Sequence, residues 1–332
     1  MARLRRQIAR LASDLPGEAE ALRRRAFWRL AAHFTPWLAV DRDGLRLVVS
    51  TADQTLGRRL FVYPRTQELD IQRAFATLQA IPGVAERLPG TSIVEIGANI
   101  GSHTVEMLKR YGARSVVALE PDPGNCELLR QNVLLNGLSD RVTLLALAVS
   151  DHDGAVHLEL SPTNAGDHRV RVPAANGGGS EGGRATIEVG AARFDSLVAR
   201  GVIDLDVTGL IWIDAQGHEA HILRGATHLL GSRTPIVMEY WPYGLRRAGG
   251  LDALHALIAD HYSHVVDVSP PGGPGPRVVA ADRLPELESE YGWSSRPGDS
   301  SLGTDLVLSA DVGAADPVLS PDARAYWRSA AP

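Results

Sequence analysis

The chain has 332 residues, 34 Lys plus Arg against 39 Asp plus Glu, a formal charge of −5 and a single cysteine. This mildly acidic balance argues against a dedicated nucleic-acid binder, which would carry a basic face. A lone Cys126 excludes a disulfide framework or a cysteine-built zinc site. No segment approaches the roughly 20 apolar residues of a membrane span, and the basic start Met1–Arg6 leads into no signal core, so a cytoplasmic chain is expected.

In chain order, Leu4, Ile8, Leu11 and Leu15 recur at helical spacing, and Arg23–Arg25 precede Phe27–Trp28 in a second helical run. These are read as a cap on the domain, with a membrane-surface or partner helix as the alternative. Trp37–Val40 and Leu45–Ser50 read as strands around the turn signal Asp41–Gly44. Glu68–Gln79 reads as a helix. Strands are then expected around Ile93–Ile96 and at Ser115–Leu119, Val142–Val149, Gly209–Ile213 and Pro235–Glu239, with helices at Asn125–Asn136 and Glu219–Leu230. Such alternation predicts a parallel sheet covered on both faces. An antiparallel insertion, Val156–Leu160 and Ala185–Val189 around the flexible turn Asn176–Ser180, interrupts it. A last antiparallel pair is expected at His264–Val268 and Asp305–Leu308. The division that follows is an appendage at 1–60, a catalytic domain at 61–312 and a tail at 313–332.

The most telling stretch is Ile93–Thr104, with Glu120–Pro121–Asp122 one helix and one strand later. The order strand, loop, helix, strand, acid is the unit whose terminal carboxylate grips ribose hydroxyls in doubly wound folds. A pyrophosphate cradle needs G-x-G-x-x-G, whereas here Gly97 and Gly101 flank Asn99, a residue tolerant of left-handed backbone. S-adenosylmethionine has no phosphate and carries two cationic groups, so it suits this loop better than a dinucleotide. Gly97, Ala98, Asn99 and Gly101 are then expected to approach the cofactor. Glu95 would lie near its ammonium, Ser102 and His103 would open the helix beside it, and Glu120 would accept from ribose. Asp122 and Asn125 would orient that turn, Asn125 equally as a helix cap, and Ala148 and Val149 would flank adenine or simply pack.

Taken together, Val94–Gly101, Leu119–Pro123, Asn132–Gly137, Ala148–Asp151, Ile213–Glu219, Leu223–Ala226 and Met238–Glu239 resemble the FkbM family of methyltransferases over about residues 60 to 310. The resemblance implies a Rossmann-like α/β class I methyltransferase fold. With the residue patterns above, the expected fold is a mostly parallel seven-stranded sheet with a β-hairpin insertion and an N-terminal helical and β appendage. The resemblance implies S-adenosylmethionine-dependent transfer to oxygen on a hydroxylated small molecule, a glycoside or secondary metabolite, by a monomer or homodimer. An N-methyltransferase, or an inactive cofactor-binding module, is the alternative. The family often has an acid where this chain has Gln216.

Methyl transfer needs the acceptor oxygen held in line and a base for its proton. Asp214 and Glu239 end neighbouring strands, where open α/β sheets bind ligands; Asp214, like Glu219, could instead cap the next helix or be structural. The loop at Asn164–Arg169 adds His168 beside Asp167, and His218 is a rival base. Magnesium held by Asp214, Glu239 and Gln216 is possible by fold analogy but is not favoured, and no metal ligand is assigned.

Overall fold

The computed structural model describes residues 18–64, 69–172, 183–271, 273, 275–291 and 303–313. The expected apolar series from Leu4 to Leu15, the turn Asn176–Ser180, and all but the first residue of the 313–332 tail lie outside them. The described residues form two compact units, residues 18–64 together with 162–166, and the other described residues.

The smaller unit begins with α1 (18–31), then β1 (Trp37–Arg42), β2 (Leu45–Ser50) and α2 (Leu56–Val62). Asp43 and Gly44 both adopt positive φ, 49° and 84°, the backbone a two-residue hairpin turn needs to match the strand twist. Burial alternates along β2, with Leu45, Leu47 and Val49 inside. On α1 the buried Trp28 packs its ring 5.5 Å from Phe61 of α2, and its indole N–H reaches the Gln54 carbonyl at 3.3 Å. Residues 162–166 join this unit through the Gln54 amide, which donates to the Thr163 carbonyl at 2.8 Å.

The larger unit runs α3 (Leu69–Ala80), β3 (Ser92–Ile96), α4 (Ser102–Arg110), β4 (Ser115–Leu119), α5 (Pro123–Leu135), β5 (Val142–Leu145) and β6 (Ala148–Ser150). There follow β7 (Gly154–Leu160), β8 (Arg169–Val170), β9 (Ala185–Arg193), α6 (Phe194–Ala199), β10 (Thr208–Ile213), α7 (Glu219–Arg224) and α8 (Thr227–Leu230). It closes with β11 (Ile236–Tyr240), α9 (Pro242–Arg247), α10 (Leu251–His261), β12 (His264–Asp267), β13 (Arg277–Ala280), α11 (Leu284–Glu290) and β14 (Thr304–Leu308).

Eight strands form the main sheet in the order β13-β12-β14-β11-β10-β3-β4-β5. Strands β5, β4, β3, β10 and β11 are parallel, and β14 enters antiparallel between β11 and β12. The α/β class I architecture expected from the resemblance is present, with β13 as an additional edge strand. Every residue of β10 is buried, as a parallel strand between two helical layers requires. The chain winds outward from β3 in one direction and from β10 in the other, so the crevice between their carboxyl ends is the switch point where such sheets bind ligands.

The structure corrects two sequence expectations and extends a third. The strand expected over Val142–Val149 breaks at Ala146–Leu147, and Ala148–Ser150 crosses into a second, four-stranded sheet of order β6-β9-β7-β8. The helix expected at Glu219–Leu230 divides at Gly225, a glycine packed so closely that an added Cβ would lie 2.3 Å from the Ser150 carbonyl. The last antiparallel pair, β12 with β14, does form, but β13 continues it outward.

Asp195 of α6 caps α8 from outside, accepting the Thr227 and His228 amides at 3.0 Å each and the Thr227 hydroxyl at 2.5 Å. Burial pushes its carboxyl up, but these hydrogen bonds outweigh burial and hold it below the ordinary value. A depressed folded-state value means stability present at neutral pH and lost as pH falls. Asp195→Ala is expected to cost about 2–3 kcal/mol at neutral pH, the scale for leaving buried donors unmet. Urea melts at neutral and acid pH, with a smaller difference in acid, check it.

Candidate active site

The loop after β3 is built on left-handed turns. Gly97, Asn99 and Gly101 have φ of 84°, 50° and 78°. Gly97 is the position where glycine is obligatory on two counts, because an added Cβ would sit 1.8 Å from the Asp214 carbonyl oxygen. The Gly97 and Ala98 amides both donate to the Leu119 carbonyl, at 2.9 and 3.1 Å, tying the loop to the end of β4.

Glu120, one residue beyond β4, is the hub. Its Oε2 accepts the Asn99 amide at 2.8 Å, and its Oε1 accepts the Asp122 amide at 2.9 Å and the Asn125 side-chain amide at 3.4 Å. Burial nevertheless lifts its carboxyl to about 7, against the lowering effect of those donors. The cap of α5 is Asp122, which accepts the Asn125 amide at 2.8 Å; capping by Asn125 itself is thereby corrected. Nearby, Asn99 Oδ1 is buried with no hydrogen-bond partner. An acceptor left so costs about 1–3 kcal/mol, which a ligand donor would recover.

Several expected contributors turn elsewhere. Glu95 is buried and its Oε2 accepts the Thr104 hydroxyl of α4, so it links strand to helix. Gly101 is the N-cap of α4, and no side chain caps that helix; Ser102 is its buried first residue. Ala148 and Val149 are buried in hydrophobic clusters, the first with Val156 and Leu158 and the second in the main core, so both pack. The residues at the end of β5 are Leu145–Leu147, and the Leu145 carbonyl receives the Glu120 amide at 3.1 Å.

The second half of the site lies across the switch point. The Asp214 amide donates to the Ile96 carbonyl at 2.9 Å, which locks the ends of β10 and β3 together. Gln216, with φ of 53°, aims its side-chain amide at two acids at once, Asp214 Oδ1 at 2.7 Å and Glu239 Oε2 at 3.1 Å. Glu219 accepts the Ala215 and Gly217 amides at 2.9 and 3.3 Å and so shapes this turn, the capping use of an acid.

More carboxyls crowd in. Strand register sets Asp305 opposite Glu239. Burial raises Asp305 to about 8, with Asp70 and Asp214 adding to the rise and His103 opposing it. Burial also raises Asp214, while Gln216 and His103 pull it down. Glu239 is raised well above its ordinary value by burial, then by Asp214, Glu219 and Asp305, with Arg169 opposing. Like charges this close do not all ionise, so the cluster retains protons at neutral pH. His103 faces these acids and sets its ring edge-on to Trp212 at 5.3 Å.

Two histidine assignments change. His218 is buried, with Nε2 on the Ser150 hydroxyl at 2.9 Å, Nδ1 unpartnered and its ring stacked on His221 at 4.5 Å. Burial, reinforced by His221, lowers it to about 3, so it is neutral and a poor base. Asp167 serves Arg169 and Arg184, at 2.6 and 2.7 Å, rather than orienting His168. His168 Nδ1 accepts the Ser161 amide at 3.0 Å. The insertion still reaches the site, because Arg169 stacks over Trp241 at 4.8 Å, and Trp241 in turn contacts Tyr243. Sequence reasoning missed Asp70 and Asp305; pairing β14 with β11 would have exposed Asp305. Among the described residues, no group of three or more His, Cys, Asp or Glu side chains is arranged to hold a metal ion.

A doubly wound sheet with a left-handed glycine loop at its switch point and carboxyls on the adjoining strand end is the architecture that the resemblance to class I methyltransferases implies. Residues 95–257 match the methyltransferase FkbM domain. Over that stretch the chain resembles the family. It is 29% identical over 161 residues to the 2-O-methyltransferase NoeI of Sinorhizobium fredii, covering 46% of this chain and 64% of that protein. It is 29% identical over 150 residues to the hexuronic acid methyltransferase AglP of Haloferax volcanii, covering 44% and 54%. A solved FkbM methyltransferase from Methylobacillus flagellatus aligns with a TM-score of 0.39 at 14% identity, over 66% of this chain and 43% of that one. The chain thus spans about two thirds or less of these relatives.

Glu120, Glu219 and Asp305 are raised to about 7, about 7 and about 8 from ordinary values of 4.5, 4.5 and 3.8. Raised carboxyls favour the folded chain when protonated. Their contribution is complete below the unfolded values and is lost as pH rises through about 7 to 8. The ligand-free melting temperature is expected to fall from about pH 5 to about pH 8, and Asp305→Asn to flatten that slope. Scanning calorimetry across the interval checks it; a rising midpoint contradicts the cluster.

Proposed function

We propose that this chain transfers a methyl group from S-adenosylmethionine to a hydroxyl of a sugar or secondary metabolite. The observation that carries the reading is the contact of the Gly97 turn with the Asp214 carbonyl. It sets the Gly97–Gly101 loop, which we read as nucleoside-binding, directly against a carboxyl cluster. The match of residues 95–257 to the FkbM domain, one relative named as a 2-O-methyltransferase and another named for hexuronic acid support it. A cytoplasmic monomer or homodimer without a nucleic-acid partner fits the acidic chain. No described helix is long and apolar enough to cross a membrane.

The residues suit the cofactor. Glu120 is fixed from three donors and keeps lone pairs for ribose hydroxyls, the unmet Asn99 Oδ1 awaits a donor, and Leu145–Leu147 end the strand expected to flank adenine. When bound, S-adenosylmethionine supplies an electrophilic methyl group on a sulfonium. The chain's own part is to position and deprotonate the acceptor. Asp214 takes the hydroxyl proton, because burial raises its basicity above that of an ordinary carboxylate while Gln216 fixes its orientation. Glu239, on the other arm of the Gln216 amide, holds a proton and keeps the site from carrying two adjacent negative charges. Trp241 and Tyr243 offer ring faces of the kind that stack on sugars.

Two measurements test this. Glu120→Ala is expected to weaken S-adenosylhomocysteine binding by about 1–3 kcal/mol in calorimetry; unchanged affinity would remove Glu120 from the ribose site. In labelled-methyl transfer to a panel of glycosides, Asp214→Asn is expected to lower turnover about 100-fold or more, the scale of general-base loss, with cofactor affinity little changed. Label appearing on amines alone would point to nitrogen as acceptor.

A further inference from the structure

One face of the smaller unit has no role in this chemistry. Helix α1 buries Ala21, Trp28 and Ala31, yet its opposite side is also apolar. Leu22, Phe27 and Leu30 are 66%, 52% and 58% exposed, and Phe34 and Trp37, just beyond the helix, are 81% and 51% exposed. At 100° per residue, Leu22, Ala26 and Leu30 line up one turn apart, with Phe27 beside them. A helix apolar on both faces is ordinarily covered on both.

Charge indicates by what. Residues 1–37 hold eight arginines against three acids, whereas the whole chain carries −5, so the rest is strongly acidic. Two copies meeting through this face would bring like charges together. An anionic bilayer presents the opposite charge to the arginines and an apolar interior to the aromatic rings, the environment of an interfacial helix. Not every arginine is available. Arg24 pairs with Glu20 and donates to the Phe61 carbonyl, and Arg25 binds the Tyr63 hydroxyl. Arg23 and Arg29, adjoining the apolar residues on the helical wheel, have the reach to extend to lipid phosphates.

We propose that α1, with Phe34 and Trp37, lays its exposed apolar face on an anionic phospholipid surface, holding the protein at a membrane it does not cross. The proposal rests on the smaller unit alone and is independent of the acceptor. The test floats the full chain with vesicles of phosphatidylcholine, with and without about one third phosphatidylglycerol. The protein is expected to float with the anionic vesicles at least about tenfold better than with neutral ones. Arg23→Glu with Arg29→Glu should reduce that binding about tenfold or more. Leu30→Ser with Phe34→Ser should abolish it, both variants keeping the wild-type melting temperature. Three results would overturn it: no flotation with either vesicle, equal flotation with both, or a wild-type dimer that Leu30→Ser with Phe34→Ser converts to monomer. If the serine variant fails to fold, the charge-reversed variant decides.

Discussion

The larger unit depends on two backbone turns touching at the centre of its sheet. Gly97 lies so close to the Asp214 carbonyl that no side chain fits between them, and the Asp214 amide hydrogen-bonds the Ile96 carbonyl. Strands β3 and β10 therefore end in register, and the two loops that leave them open onto one crevice. The Gly97–Gly101 loop and the carboxyl cluster are held at a fixed separation by main chain rather than by side chains that could move.

From that junction the electrostatics follow. A turn this tight leaves Asp214 beside Glu239, and antiparallel pairing adds Asp305, while Asp70 contributes from α3. Few cations answer them: His103 and Arg169 are the opposing charges that act on these acids. The site accommodates the crowding by keeping protons and by placing a neutral amide, Gln216, between two carboxyls. A buried group that would be unfavourable in a structural setting becomes useful when a hydroxyl must be deprotonated near neutrality.

Much of this was legible in the sequence, for identifiable reasons. The glycine spacing of Gly97–Gly101 and the acid at Glu120 are local signals, since both depend on backbone conformation and strand order that short stretches encode. The same holds for the hairpin at Asp43–Gly44. What the sequence hid was tertiary. Asp305 gains its significance from a strand partner 66 positions away in the register pairing with Glu239. His218 looked available beside Asp214, yet helix geometry turns it toward Ser150. Ala148 and Val149 belong to a strand that changes sheets after two residues of irregular backbone, a departure that hydrophobic patterning cannot register.

Gln216 also has an evolutionary reading. Its left-handed backbone narrows the choice of side chains. Glycine would keep the turn and lose the bridge, while asparagine would keep the amide with a shorter reach. Glutamate preserves the length, and a single base change in a glutamine codon produces it. That change converts a shared donor into another acceptor. A lineage crossing it must find a counter-charge or a proton for the cleft in the same step. The position is therefore a one-mutation divide between two electrostatic versions of one site.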